Sequence, residues 1–344
     1  MSNYPTQKSD FRSYLPLLWR GLGRGFYFLL ITIIFSLSCK KDLLYFQNVQ
    51  QLDSHTSVDR LNRIFFVNDT LGFIAGGQRF YNAVILTTRD GGYTWKKDTF
   101  PQAGKEMFGL VQSASSTIYS CGYDGKLLYT NDMGNSWNFS QMQYLPENDI
   151  AFTDSTHAIV VGGQSFYSGY MSYINNYGGF IKWDSLNYQI NRIKMVNGNT
   201  GYQCGYGVIS KTTDKGQTWN ILQVQGDDFT GMDIHNNGNE LWVCGYNGSV
   251  FHSSDGGNSW ERLRNGNDLT IAHYNLLDIF FQDSQNGWAV GENGLVLYSK
   301  DAGHHWMQYN HFTDNGLRSL SLRPNGDLIV CGDNGALYRI SPQH

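Results

Sequence analysis

The chain has 344 residues, 25 Lys and Arg against 29 Asp and Glu, and a formal net charge of −4. Balanced charge with no Lys/Arg-rich stripe leaves no electrostatic footprint for nucleic acid. Only 6 Pro, with 39 Gly, 22 Tyr and 9 Trp, suits many short strands separated by turns.

The first 39 residues read as a targeting segment to be set aside from the fold. Lys8, Arg12, Arg20 and Arg24 form a basic leader, and the apolar run Phe26 to Leu37 stops at Ser38-Cys39. That run is too short to span a bilayer comfortably. A short apolar stretch ending in Ser-Leu-Ser-Cys resembles a bacterial lipoprotein signal, and Lys40-Lys41-Asp42 after it is similar to lipoproteins of Bacteroidetes-type bacteria. The resemblance implies that Cys39 is lipidated and becomes the mature N-terminus, so that the protein is exported to the cell envelope, with the outer membrane the expected site. An uncleaved N-terminal anchor is the alternative. Residues 40–59 then serve as a tether and, through the strand-like Leu43 to Val49, as a strand that closes the fold.

From residue 60 the chain repeats. Ser/Thr-x-Asp-x-Gly-x-polar-Trp occurs five times, ending at Trp95, Trp137, Trp219, Trp260 and Trp306, which lie 42, 82, 41 and 46 residues apart. The long gap holds two periods, with an eroded copy at Tyr177–Trp183. Asp90, Asp132, Asp214, Asp255 and Asp301 are suited to accept backbone N–H bonds in a tight turn, and the Gly two residues later is free to take positive φ. A second series, Gly76, Gly122, Gly162, Gly205, Gly245, Gly291 and Gly332, counts seven units. Each unit reads as an apolar-alternating strand, a turn, a strand ending in small-residue-Gly, a third strand, the Asp turn and a strand from the Trp. The reading is an all-β, seven-bladed β-propeller over residues 60–344, each blade a four-stranded antiparallel meander. The last unit lacks a fourth strand, which Leu43 to Val49 is expected to supply, because an open ring would leave unpaired edges. Cys121, Cys204, Cys244 and Cys331 each precede the repeat Gly and read as small buried residues rather than disulfide partners, since equivalent positions on separate blades lie too far apart.

Asp-turn motifs at this period resemble the Asp-box, or bacterial neuraminidase repeat, propellers. The pattern over residues 60–341 is most similar to the photosystem II assembly-factor-like family. That resemblance implies a non-enzymatic scaffold that holds another protein during assembly.

Two candidate recognition features follow from the repeat. The residue opening each inner strand is Arg63, Phe108, Asp149, Arg192, Asp233, Asp278 or Arg318, which predicts an alternating Arg/Asp collar at the channel mouth on the loop-rich face. The favoured reading is that paired charges there close a polar channel; the alternative is that the guanidinium groups recognise a partner's carboxylate. The second feature is a pair of long, aromatic loops between second and third strands, one at Gly77–Tyr81 with Phe80 and Tyr81, the other starting at Gly163 with Phe166 and Tyr167 and running through Tyr170 and Tyr173. Tyr is favoured in protein interfaces and stacks equally well on sugars.

An enzyme is not expected. A sialidase needs an Arg-Ile-Pro signature that neither Arg63-Ile64-Phe65 nor Arg192-Ile193-Lys194 supplies. A glycosidase needs two facing carboxyls, for which Asp278 and Glu292 of one blade are the candidates. The scattered His residues show no metal-ligand spacing, and no cofactor is expected. The expected partner is another envelope protein, with a glycan-binding or glycan-cleaving propeller as the alternative, and a monomer is expected.

Overall fold

A computed structural model describes residues 43–342 apart from 115, 225, 269, 270 and 272. The basic leader, the apolar run and Cys39 lie outside the described residues.

The described residues form seven sheets, each built on a four-stranded antiparallel meander. Blade 1 contains Arg60–Phe66, Gly72–Gln78, Asn82–Thr88 and Lys96–Thr99. Blade 2 contains Met107–Gln112, Ile118–Gly122, Lys126–Thr130 and Asn138–Gln141. Blade 3 contains Glu147–Phe152, His157–Ser165, Ser168–Asn175 and Phe180–Leu186, and blade 4 contains Ile190–Met195, Gly201–Gly205, Val208–Thr212 and Asn220–Ile221. Blade 5 contains Phe229–His235, Glu240–Gly245, Val250–Ser253 and Glu261–Arg264; blade 6 contains Leu276–Phe281, Gly287–Gly291, Val296–Ser299 and Met307–Tyr309. Blade 7 has Leu317–Leu322, Leu328–Gly332 and Leu337–Pro342, and takes its outer strand, Phe46–Gln51, from the start of the chain. The first strand of every blade touches those of both neighbours, Leu317–Leu322 meeting Arg60–Phe66, so the ring is closed. The expected closing strand is therefore present, with a division: Leu43–Leu44 runs parallel to Met307–Tyr309 and adds a fifth strand to blade 6.

The Asp boxes are built as their composition demands. In blade 1 the Thr88 hydroxyl donates to Asp90 Oδ1 at 2.8 Å and accepts from Gly92 N at 2.9 Å, while Thr94 N and Oγ1 donate to the Asp90 carboxylate at 3.0 and 2.6 Å. The boxes of blades 2, 4, 5 and 6 repeat this pattern around Asp132, Asp214, Asp255 and Asp301. Each box Gly has positive φ and abuts a side chain of the preceding blade, so a Cβ would approach Ile329, Phe73, Ile159, Leu222 or Leu263 within 3 Å. The box Trp residues pack alongside; Trp137, for example, meets Phe73 of blade 1 edge-on at 5.6 Å between ring centroids. The apolar core accordingly lies between blades, and the four cysteines are free and buried within it.

Candidate functional site

Every inner strand carries a β-bulge at the same place. The register skips one residue between Leu61 and Arg63, Met107 and Gly109, Glu147 and Asp149, Ile190 and Arg192, Phe229 and Gly231, Leu276 and Asp278, and Leu317 and Ser319. The skipped residue of several blades reaches to the next. Asn62 donates to Met107 O, Asn148 to Ile190 O, Asn191 to Phe229 O and Thr230 to Leu276 O, at 2.6–2.9 Å. These clasps satisfy a carbonyl that the bulge would otherwise orphan. They carry no signal in the spacing of the repeat and were not expected.

The bulge changes the collar. Its equivalent positions are Arg63, Gly109, Asp149, Arg192, Gly231, Asp278 and Ser319, so Phe108 and Arg318 are skipped residues and Asp233 lies two residues farther along its strand. Arg63, Asp149, Arg192 and Asp278 do come together, around a channel cavity of about 890 Å³. That cavity is lined further by Asn68, Asp69, Gln282 and Arg323 from turns between first and second strands. It therefore opens on the Asp-box face, not at the loop-rich mouth where the collar was expected.

Within this layer each carboxylate joins two blades. Asp149 Oδ2 accepts from Ile193 N at 3.2 Å, and Asp278 Oδ2 accepts from the Ser319 hydroxyl at 2.8 Å and Leu320 N at 3.4 Å. Arg63 Nη1 bridges the channel to Asp278 Oδ1 at 3.4 Å. Burial lowers the Arg63 pKa, but Asp278 and Asp149 outweigh it and hold the value above the ordinary one. Arg192 moves the other way: burial and then the like charge of Arg63 depress it, with Asp149 opposing. Its Nη1 donates to Asn191 O at 3.1 Å, and its buried Nε has no partner among the described residues. Asp233 pairs with Lys194 Nζ at 2.9 Å and His235 Nε2 at 3.1 Å and accepts from Phe281 N at 2.8 Å. Burial raises its pKa, yet His235 and Lys194 prevail and hold it below the ordinary value.

Arg318 belongs to the loop-rich face. Its Nε lies 2.5 Å from Asp333 Oδ1, which also receives Arg60 Nε at 3.3 Å, while Arg60 Nη1 reaches the buried Glu106 at 3.4 Å. A cleft of about 520 Å³ opens beside this network, lined by Val58, Arg60, Gln78, Arg79, Glu106 and Asp333. Arg60, Arg79 and Glu106 were missed as site residues because only one column of the repeat was read for charge.

The aromatic segments are not long loops. In blade 1, Gln78 pairs with Asn82, leaving a three-residue turn of Arg79, Phe80 and Tyr81; in blade 3, Ser165 pairs with Ser168 around Phe166 and Tyr167. The strands are longer than in other blades, so Tyr170 and Tyr173 lie within a strand. Tyr173 donates from its hydroxyl to Gly216 O at 3.0 Å, toward the Asp-box face. At the turn tips Phe80, Tyr81, Phe166 and Tyr167 are exposed. Phe80 meets Tyr123 edge-on at 5.4 Å, with Lys105 Nζ 5.1 Å over its ring. Phe166 stacks on Tyr206 of blade 4 at 4.7 Å, so these rings pack on the next blade rather than fold over their own. The two aromatic turns therefore sit on different blades of the loop-rich face, apart from the Arg/Asp layer.

Residues 180–272 match the family described as photosynthesis system II assembly factor YCF48. The chloroplastic photosystem II stability/assembly factor HCF136 of Arabidopsis thaliana is 23% identical over 299 residues, covering 65% of this chain and 72% of that protein. Two solved structures share the fold across nearly their whole length. YCF48 from Cyanidioschyzon merolae has a TM-score of 0.64 at 17% identity, covering 85% of this chain and 98% of that one. YCF48 bound to D1 peptide also has a TM-score of 0.64, at 18% identity, covering 88% and 98%. The chain is a seven-bladed propeller similar to the photosystem II assembly factors.

The carboxyls of this propeller are disposed for structure. Asp278 is engaged with Arg63 and blade 7 inside the channel, whereas Glu292 accepts from Asn275 Nδ2 at 2.9 Å in a turn on the opposite face. The two do not face one another across a cleft, so the proposed glycosidase pair is not assembled. The similar proteins named above are described as assembly factors.

Proposed function

We propose that this chain is a cell-envelope scaffold, exported as a lipoprotein acylated at Cys39, that holds a segment of another protein on its loop-rich face and catalyses no reaction. The observation that carries this reading is the cleft of Arg60, Arg79 and Glu106 flanked by the exposed rings of Phe80 and Tyr81. Forked guanidinium groups beside stiff amphipathic rings suit a peptide with a carboxylate and apolar side chains. A YCF48 structure holding a D1 peptide supports the same mode of action for a propeller of this build.

The Arg/Asp layer serves the ring in this reading, since Asp149 and Asp278 are committed to neighbouring blades. Capture from detergent-solubilised envelopes with the full lipidated chain is expected to retain one protein in stoichiometric amount. The double variant Phe80→Ser, Tyr81→Ser is expected to retain at least tenfold less at an unchanged melting temperature. Retention of polysaccharide with slow release of reducing ends, and no protein lost on substitution, refutes the proposal in favour of a glycan-directed propeller.

A further inference from the structure

The rim of blade 3 is unlike the others. The outer strands of blades 1, 2, 4 and 5 run two to four residues and are mainly polar: Lys96–Thr99, Asn138–Gln141, Asn220–Ile221 and Glu261–Arg264. Blade 3 instead ends in a seven-residue strand, Phe180–Leu186, with Phe180, Ile181 and Trp183 each nearly half exposed. It lacks an Asp box, and a bulge at Ile181 lies near its start. A long apolar edge presents a row of unpaired backbone groups to any strand that reaches it. Rim strands of this propeller do accept another strand, as Leu43–Leu44 shows against blade 6.

We infer that the blade 3 edge pairs with the same edge of a second copy, antiparallel about a two-fold axis at Trp183. The sequence of the strand is self-complementary in that register. Lys182 falls opposite Asp184 of the other copy, and Asp184 opposite its Lys182, on one face of the joined sheet. The two Trp183 rings meet on the other face. Lys182 and Asp184 already share a face, with Nζ 2.9 Å from Oδ2, and are about half exposed. Forming cross-strand pairs exchanges this local pair and the contact of Lys182 Nζ with the Tyr173 ring, 4.2 Å from its centroid. An isologous contact of this kind closes at two copies and does not propagate. Opposite charges directly across an antiparallel pair are favourable, and like charges there are unfavourable.

Sedimentation velocity of the full chain carrying Cys39→Ser, across the micromolar range, is expected to show a reversible dimer. Asp184→Lys places lysine opposite lysine twice and is expected to raise the dissociation constant roughly tenfold or more; Lys182→Glu is expected to do the same with acids. Joining Lys182→Asp with Asp184→Lys restores opposite charges and is expected to restore the dimer, with the melting temperature of the monomer unchanged throughout. A monomer at every concentration, or a dimer indifferent to both reversals, overturns the inference. A strand from a different protein seated on this edge gives the first of those results.

Discussion

Glu147 stands where the other six blades place Leu61, Met107, Ile190, Phe229, Leu276 and Leu317 opposite the repeat Gly. It is buried, and neither carboxyl oxygen has a well-formed hydrogen bond among the described residues, the Ser172 hydroxyl being nearby without one. Burial pushes its pKa from an ordinary 4.5 up to about 8, against a smaller pull from the Ser172 hydroxyl. Between those two values the folded chain holds a proton that the unfolded chain releases. Stability therefore falls as pH rises from about 4.5 to about 8 and is flat above, each unit of separation costing about 1.4 kcal/mol. Glu147→Gln removes this dependence. The variant is expected to match the parent near pH 4.5 and to exceed it by a few kcal/mol at pH 8.5, measured by denaturant midpoints at both values. Equal slopes against pH for parent and variant would rule this account out.

At the scale of the element, the Asp box sets both the hairpin and its seat on the preceding blade. Burial pushes the Asp90 carboxyl up more than any single hydrogen bond pulls it down, and opposes more weakly at Asp132, Asp214 and Asp255, yet all four are held down to about 2, chiefly by the N–H and hydroxyl of the residue four positions on. Gly134 has φ 80°, and an added Cβ would lie 2.4 Å from the Phe73 ring. Gly134→Ala is therefore expected to cost about 1–3 kcal/mol through strain and overpacking. Lys215→Gly, at φ 64° in the equivalent position of the blade 4 turn and exposed, is expected to be neutral or stabilising by up to about 1 kcal/mol. Paired thermal melts separate the two. This element was legible in the sequence because its chemistry is local: Thr, Asp, Gly and Trp are all required within eight residues. The inner-strand bulge was not legible, because the skipped position holds Asn in only three blades, Asn62, Asn148 and Asn191, and Phe108, Thr230, Leu277 and Arg318 in the other four. A one-residue ambiguity there displaced Arg318 from the collar, and Asp233, two residues on, paired with Lys194 and His235. The aromatic turns were misjudged for a related reason, since strand extension and loop extension insert the same number of residues between the same landmarks.

At the scale of the molecule, the ring is held by blade-to-blade contacts that are individually modest and by a closure that joins the two ends of the described chain. Phe46–Gln51 pairs along Leu337–Pro342, and Phe46 stacks on Tyr309 of blade 6 at 4.2 Å. Leu44 and Val49 pack against the apolar cluster shared by blades 6 and 7. One short segment thus pairs with strands of two blades. Without it, Leu337–Pro342 becomes an unpaired edge, and that cluster loses Leu44, Phe46 and Val49. Because each blade is buried only against its neighbours, a loosened blade 7 exposes the flank of blade 1 as well, where Ile329 meets the Gly92 turn. Deleting residues 40–55 is expected to lower the melting temperature by ten degrees or more, since several kcal/mol are lost from a domain of this size. It is also expected to replace a single cooperative transition by a broader one, with blades 6, 7 and 1 gaining amide exchange before blades 3 and 4. Adding back a peptide of residues 40–55 is expected to restore part of the lost transition in proportion to its concentration. A deletion that melts as sharply and at the same temperature as the parent would show that the ring closes through blade contacts alone.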